Sequence, residues 1–306
     1  MDIRITGAPC SWGVDDPKNP YLPPWKSVLE EASAAGYKGI ELGPYGYLPL
    51  DTKIVSEELQ KNKLSIVAGT IFDDLVSEQN FPAMEKAARD ICGMLVNLPK
   101  PEVVSGVHFP APYLVLIDWG HDKRDYAAGH PDVAPRLSGE DFKKLIGHIK
   151  GLCRIANGEY GVRPVIHPHA GGYIEFADEI DNIAEGITKE EAGLCLDTGH
   201  LWYSKMEPCK WLRKYADRLD YVHFKDINKA MYDQVMTEKI RFFDGCGKGV
   251  MCPIGEGVLD YGEIFNCLRD IGYNGYITIE QERDPRNASG SLKDVRRSLQ
   301  YLDRFM

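Results

Sequence analysis

Leu194-Cys195-Leu196-Asp197-Thr198-Gly199-His200 opens with an apolar run that stops on a carboxylate, and three other segments of the chain have the same form. Val165-Ile166-His167-Pro168-His169 and Tyr221-Val222-His223-Phe224-Lys225-Asp226 run into histidine, and Tyr276-Ile277-Thr278-Ile279-Glu280 ends on glutamate. Continuous apolar runs of this length, without alternation, read as strands buried on both faces.

Outward from these four, strand-like and helix-like segments alternate along the chain. Residues 3–7 read as the first strand, followed by a helix from about Pro24 to Gly36. The second strand is 37–42, ending near Glu41, and Asp51 caps a helix running to about Asn62. Strand three is 64–72, strand four is placed at Val103–Phe109, and Ser138 caps a helix running through Ile155. Strands five to eight are 163–167, 193–197, 219–225 and 276–280, each overlapping one of the quoted segments. Eight strand–helix units predict an α/β fold, a single (β/α)8 TIM barrel over 1–306. Long loops at about 110–137 and 228–257 are expected over its C-terminal face. An open doubly wound sheet would fit fewer strands and a Gly-x-Gly-x-x-Gly after strand one, which is absent.

Composition narrows the function. With 43% hydrophobic and 27% charged residues, the 306-residue chain can build a full core. A net charge of −10 argues against nucleic-acid or anionic-membrane partners. No apolar run is long enough for a membrane span, and the N-terminus has no signal-peptide profile, so a cytoplasmic location is expected. None of the eight cysteines forms Cys-x-x-Cys, and reduced thiols are expected. Barrel enzymes often form homo-oligomers, but no segment marks an interface.

In such a barrel the strand C-termini converge, so His167, Asp197, His223 and Glu280 are expected neighbours. Imidazole and carboxylate together suit one divalent ion: Mn, Fe, Co, Zn or Mg. Taken alone, Asp197 before Thr-Gly is often only a helix cap, and a lone histidine a satisfied core group. Four such residues on the same end of consecutive strands favour a metal. Lys225, two residues beyond His223, points to the same side of its strand. Candidates for proton transfer are His200, His169, Lys225 and Glu41. Trp12, Tyr45, His108 and Glu175 are candidate substrate contacts, and Tyr47 and Phe72 could add to an aromatic wall. Gly245-Cys246-Gly247-Lys248-Gly249 lacks P-loop spacing and reads as a mobile lid.

Ile40-Glu41-Leu42-Gly43, Leu196 to His200, His223-Phe224-Lys225-Asp226 and Ile279-Glu280 resemble the strand-end motifs of the xylose-isomerase-like barrel superfamily, which holds sugar isomerases, epimerases and endonuclease IV. Ala8 to Val14, Glu41 to Pro49, His167-Pro168-His169-Ala170-Gly171 and Gly255 to Asp260 are most similar to its inosose dehydratase (2-keto-myo-inositol dehydratase) branch. The resemblance spans nearly the whole chain. It implies metal binding at the strand-five ligand, Asp197, His223 and Glu280. It also implies a sugar or cyclitol substrate and a place in inositol catabolism. Epimerase members carry glutamate at the strand-five position, where this chain has His167. His169 could ligate instead, or Glu175 could reach back, and His167 is preferred by alignment. The expected reaction is a lyase one, removal of a proton α to a ketone and metal-assisted loss of the β-hydroxyl. Rivals are ketose isomerisation or epimerisation, β-elimination from a 3-keto-glycoside, and a non-catalytic sugar-binding subunit. An abasic-site endonuclease would need a basic groove and more ligands.

Overall fold

The computed structural model describes residues 1–306. In chain order its first half holds β1 (Ile3–Gly7), α1 (Trp25–Ala35), β2 (Gly39–Ile40), α2 (Thr52–Asn62), β3 (Ser65–Ile66), β4 (Ala68–Asp73), α3 (Phe81–Asn97), β5 (Tyr113–Asp118), α4 (Asp122–Asp125) and α5 (Gly139–Cys153). The second half holds β6 (Arg163–Ile166), α6 (Ala177–Gly186), β7 (Gly193–Asp197), α7 (Thr198–Tyr203), α8 (Pro208–Lys214), β8 (Leu219–Phe224), β9 (Asp226–Ile227), α9 (Lys229–Glu238) and α10 (Phe242–Gly247). It ends with β10 (Met251–Cys252), α11 (Tyr261–Asp270), β11 (Gly275–Ile279) and α12 (Ser291–Leu302).

The main sheet runs β3-β2-β1-β11-β8-β7-β6-β5-β4, and its strands pair in parallel. Its two ends are one strand interrupted at Val67. The Val67 N–H donates to Ile40 O at 3.0 Å, while Val67 O accepts from Tyr113 N at 3.0 Å. The sheet therefore closes on itself as an eight-stranded barrel. Every residue of β5, β6, β7, β8 and β11 is buried, which is why these strands are mostly apolar. Asp51, Ser138 and Asp260 cap α2, α5 and α11 through backbone N–H groups that their side chains accept.

Strand four is not Val103–Phe109. It is β5, ten residues further on, inside the segment expected to be a loop. Pro110 and Pro112 break the pattern just before it, so the apolar run Tyr113 to Ile117 was hidden. The displaced segment is apolar for another reason: it floors the barrel. Val104 is buried with Tyr113, Val115, Tyr221 and Tyr276 inside the ring of strands. Tyr113 and Tyr276 donate their hydroxyls to Phe109 O at 2.9 Å and Glu102 O at 2.7 Å. The second expected loop also has structure. It holds α9, α10 and β10, and β10 pairs antiparallel with β9.

Candidate metal centre

Barrel geometry sets the four ligand candidates on one rim. His167 directly follows β6, Asp197 ends β7, His223 lies near the end of β8 and Glu280 follows β11. The ladder continues past the strands, with His167 N donating to Leu116 O at 2.9 Å and Glu280 N to Phe224 O at 3.0 Å. One ligand atom from each of the four lies within 4.8 Å of all the others. Asp197 Oδ2 is 3.6 Å from His167 Nε2 and 4.0 Å from His223 Nδ1, and Glu280 Oε2 is 3.1 Å from His223 Nδ1.

The polar atoms at the centre fit an ion. Both ring nitrogens of His167 and the Nδ1 of His223 are buried with no hydrogen-bond partner. A buried, unpaired nitrogen is costly, and a metal bond removes that cost. His223 is aimed by Glu41, whose Oε1 lies 2.8 Å from His223 Nε2 and accepts the Tyr221 hydroxyl at 2.7 Å. A carboxylate behind a histidine, leaving the other ring nitrogen free, is the usual outer support of a metal ligand. Glu41 thus faces the back of a candidate ligand. Two imidazole nitrogens and two carboxylate oxygens suit Zn, Co, Fe or Mn.

Charge is concentrated here. Burial opposes ionisation of Asp197, but the Lys225 ammonium, His167 and His223 hold it far below the usual carboxylate range. Glu280 is held low in the same way, against burial, by His223 and Lys225. Lys225 Nζ lies 2.8 Å from Asp197 Oδ2, in close contact with Glu280 Oε2, and 3.2 Å from Glu282 Oε1. Against burial, Asp197, Glu280 and Glu282 raise the ammonium well above its ordinary value. Burial opposes the His223 proton too, but Cys195, Glu280 and Glu41 raise it well above the usual histidine range, so an ion bound there would have to displace a proton.

Above the ligands stand His169 and His200, ring centroids 4.0 Å apart. Burial holds both well below the usual histidine range, so both are neutral at neutral pH. The backbone of one residue, Ala170, assigns their tautomers. Ala170 O lies 2.8 Å from His169 Nδ1, and a carbonyl only accepts, so Nδ1 carries the proton and Nε2 a lone pair. Ala170 N donates to His200 Nδ1 at 3.2 Å, so His200 carries its proton on Nε2, which is buried without a partner. His169 therefore presents a base and His200 a hydrogen-bond donor.

An aromatic wall closes the far side. Phe72 stacks on Trp119 at 5.0 Å, and Phe243 meets Trp119 edge-on at 5.2 Å and stacks on His169 at 5.9 Å. Phe242 packs on both histidines at 5.3 Å. Both phenylalanines come from α10. The helix is tied down by Arg241, whose Nε donates to Asp125 Oδ2 at 2.7 Å. A cavity of about 740 Å³ opens beside this wall, with Cys10, Phe243, Cys246 and Glu282 among its lining residues.

Four expected substrate contacts fall elsewhere. Trp12 is buried, with Nε1 donating to Glu31 on α1 at 2.8 Å. Tyr45 is half-buried and packs on the outer core. His108 belongs to the barrel floor, 3.8 Å from Asp220 at the start of β8, at the end opposite the ligand candidates. Glu175 does not reach the ligands either. Its oxygens accept from Gly129 N at 2.7 Å, Ser204 Oγ at 2.8 Å, Gly171 N at 2.9 Å and Arg124 at 3.3 Å, which fastens the loop carrying His169. Tyr47, expected near the wall, instead donates to Pro23 O at 2.9 Å.

Four residues beside the site, Trp119, Phe242, Phe243 and Glu282, went unmarked in the sequence. Glu282 could have been found by the same period of two that marked Lys225, since it lies two residues beyond Glu280. Phe242 and Phe243 had no such signal, because their loop shows no periodicity.

Residues 29–305 match the family model described as the xylose isomerase-like TIM barrel, and the chain belongs to that family. It is 28% identical to an inosose dehydratase of Clostridium perfringens over 94% of this chain and 93% of that one. Among solved structures it is similar to the probable 3-DHS dehydratase AsbF of Bacillus anthracis, with TM-score 0.71 and 16% identity over 97% of this chain and 98% of that one. It is also similar to the IolI protein, solved with a zinc atom, with TM-score 0.73 and 14% identity over 99% of each chain. The chain is an enzyme, and no helix of it is long and apolar enough to cross a membrane.

Proposed function

We propose that the chain is a divalent-metal-dependent lyase of the inosose dehydratase type, held to its metal by His167, Asp197, His223 and Glu280. The observation that carries this is the meeting of those four residues around unpartnered imidazole nitrogens, beside a neutral histidine whose lone pair is free. Full-length similarity to an inosose dehydratase supports the choice of substrate class. The ion, when bound, supplies Lewis-acid polarisation of a substrate ketone.

The chain's own residues do the rest. His169 Nε2 takes the proton α to the ketone, and the electron pair of that C–H bond forms the new double bond as the β C–O bond breaks. His169, now imidazolium, delivers its proton to the departing hydroxyl, which leaves as water, and the ring returns to neutral. His200 donates its Nε2 proton as a hydrogen bond to a substrate hydroxyl. The Lys225 ammonium stabilises negative charge building on the ketone oxygen. Phe72, Trp119 and Phe243 cover the less polar face of the ring and exclude water.

The test is to strip the protein with chelator and restore Mn, Co, Mg or Zn singly. Incubation with 2-keto-myo-inositol in D2O is then followed by NMR. Metal-dependent dehydration, lost in Asp197→Asn and His169→Gln, is the expected result. Deuterium uptake without dehydration would replace the lyase with an isomerase or epimerase. Neither signal, with no bound metal, would sink the enzyme mechanism as stated.

A further inference from the structure

Lys225 ties up the same oxygens that the ligand set offers. Its Nζ sits on Asp197 Oδ2 at 2.8 Å and against Glu280 Oε2. Asp197 Oδ2 also faces His167 Nε2 and His223 Nδ1, and Glu280 Oε2 faces His223 Nδ1. Those two oxygens cannot turn fully to an ion while they hold an ammonium. An ammonium left behind in this buried setting would be costly without a partner. One carboxylate stands ready outside the ligand cluster. Glu282 Oε1 is 3.2 Å from Nζ, and its Oε2 is buried with no hydrogen-bond partner.

We propose that Lys225 stands in for the metal among Asp197 and Glu280, and that Glu282 is the positioning residue that receives the ammonium when the ion arrives. Glu282 then supports metal affinity without touching the metal, and only through Lys225. Removing Glu282 leaves the ammonium competing for the ligand oxygens. Removing Lys225 removes the competitor and with it any role for Glu282. The inference rests on the metal reading above.

The experiment is a titration of the metal-stripped full chain with Co2+ alone, read by the visible absorption of the bound ion. Wild type, Glu282→Gln, Glu282→Asp, Lys225→Met and the Lys225→Met/Glu282→Gln pair are compared, with circular dichroism on each. Glu282→Gln is expected to weaken Co2+ binding about tenfold, the lower end for a residue supporting a ligand from outside. Glu282→Asp, which keeps the charge, retains more of the affinity. Lys225→Met binds more tightly than wild type, and adding Glu282→Gln to it changes nothing further. If Lys225→Met does not fold without metal, the contrast between Gln and Asp at 282 decides. Equal affinities for wild type, Glu282→Gln and Glu282→Asp would overturn the proposal, as would a Glu282 effect that persists without Lys225. No Co2+ binding by wild type would overturn the metal reading itself, a different and separately visible failure.

Discussion

Replacing Glu41 with glutamine separates positioning from chemistry at this centre. Glu41 Oε1 faces His223 Nε2 at 2.8 Å and accepts from Tyr221 at 2.7 Å. Glutamine is nearly isosteric, and its single carbonyl oxygen can accept both bonds, so the geometry survives and only the charge is lost. A hydrogen bond to a charged group contributes about 1.5–3 kcal/mol and a neutral one about 0.5–1.5, so the change costs about 1–1.5 kcal/mol. That corresponds to roughly a tenfold loss in metal affinity, within the range for an outer-shell partner. The assay is Co2+ titration of stripped protein, followed by kcat at saturating metal, where the rate should fall by less than about threefold because the ligand set is restored by mass action. Unchanged affinity with a fall in kcat of about a thousandfold at saturating metal would refute this. Glu41 would then act on the substrate, not on His223.

Other outcomes follow from the same contacts. Metal at about a hundred times its Kd should add about 2.7 kcal/mol of stability, so chelation should lower Tm by roughly 4 °C for a chain of 306 residues; an unchanged Tm in calorimetry would count against a resident ion. Because burial holds His169 well below the usual histidine range, its base form persists as pH falls, and the acid limb of kcat/KM should lie below pH 6.5. A limb at or above that value would show a normal histidine instead. His108→Ala, at the barrel floor, should leave kcat and KM within about twofold of wild type, whereas a large rise in KM would return it to the substrate site. Val104→Ala removes two buried methyl groups from the floor and should cost about 2 kcal/mol in urea unfolding, with the metal affinity unmoved.

The proposed metal ligands were legible as a cluster because a strand buried on both faces announces itself as an apolar run, and the residue that ends it stands out. Where a run was interrupted, the signal failed. Pro110 and Pro112 obscured β5, and the floor segment around Val104 took its place, because apolarity reports burial without saying whether a residue lies in the ring of strands or plugs it. The same limit explains Trp12 and Tyr45, which pack in the outer core, Trp12 buried and Tyr45 half-buried. Glu175 shows a further one. A carboxylate near a predicted site can be taken up by four donors from loops and a short helix, and only tertiary distances reveal that. Lys225 was found because alternation along a strand carries past its end, and Glu282 lay within reach of the same rule.

Charge balance gives the strongest reason to expect a divalent ion at this rim. Asp197 and Glu280, both held ionised below the usual carboxylate range, share one ammonium, and Glu41 adds a third carboxylate behind His223. Without metal the cluster leans on the protons of Lys225 and His223, both pulled well above their ordinary values. A divalent ion supplies two charges at one point and takes over the unpartnered nitrogens of His167 and His223. It releases the His223 proton as it does so. Metal binding should therefore give up about one proton per ion near neutral pH, measurable by titration calorimetry in buffers of different ionisation enthalpy. Binding with no proton release would mean that His223 is already neutral, and that the carboxylates around it are held by something other than this exchange.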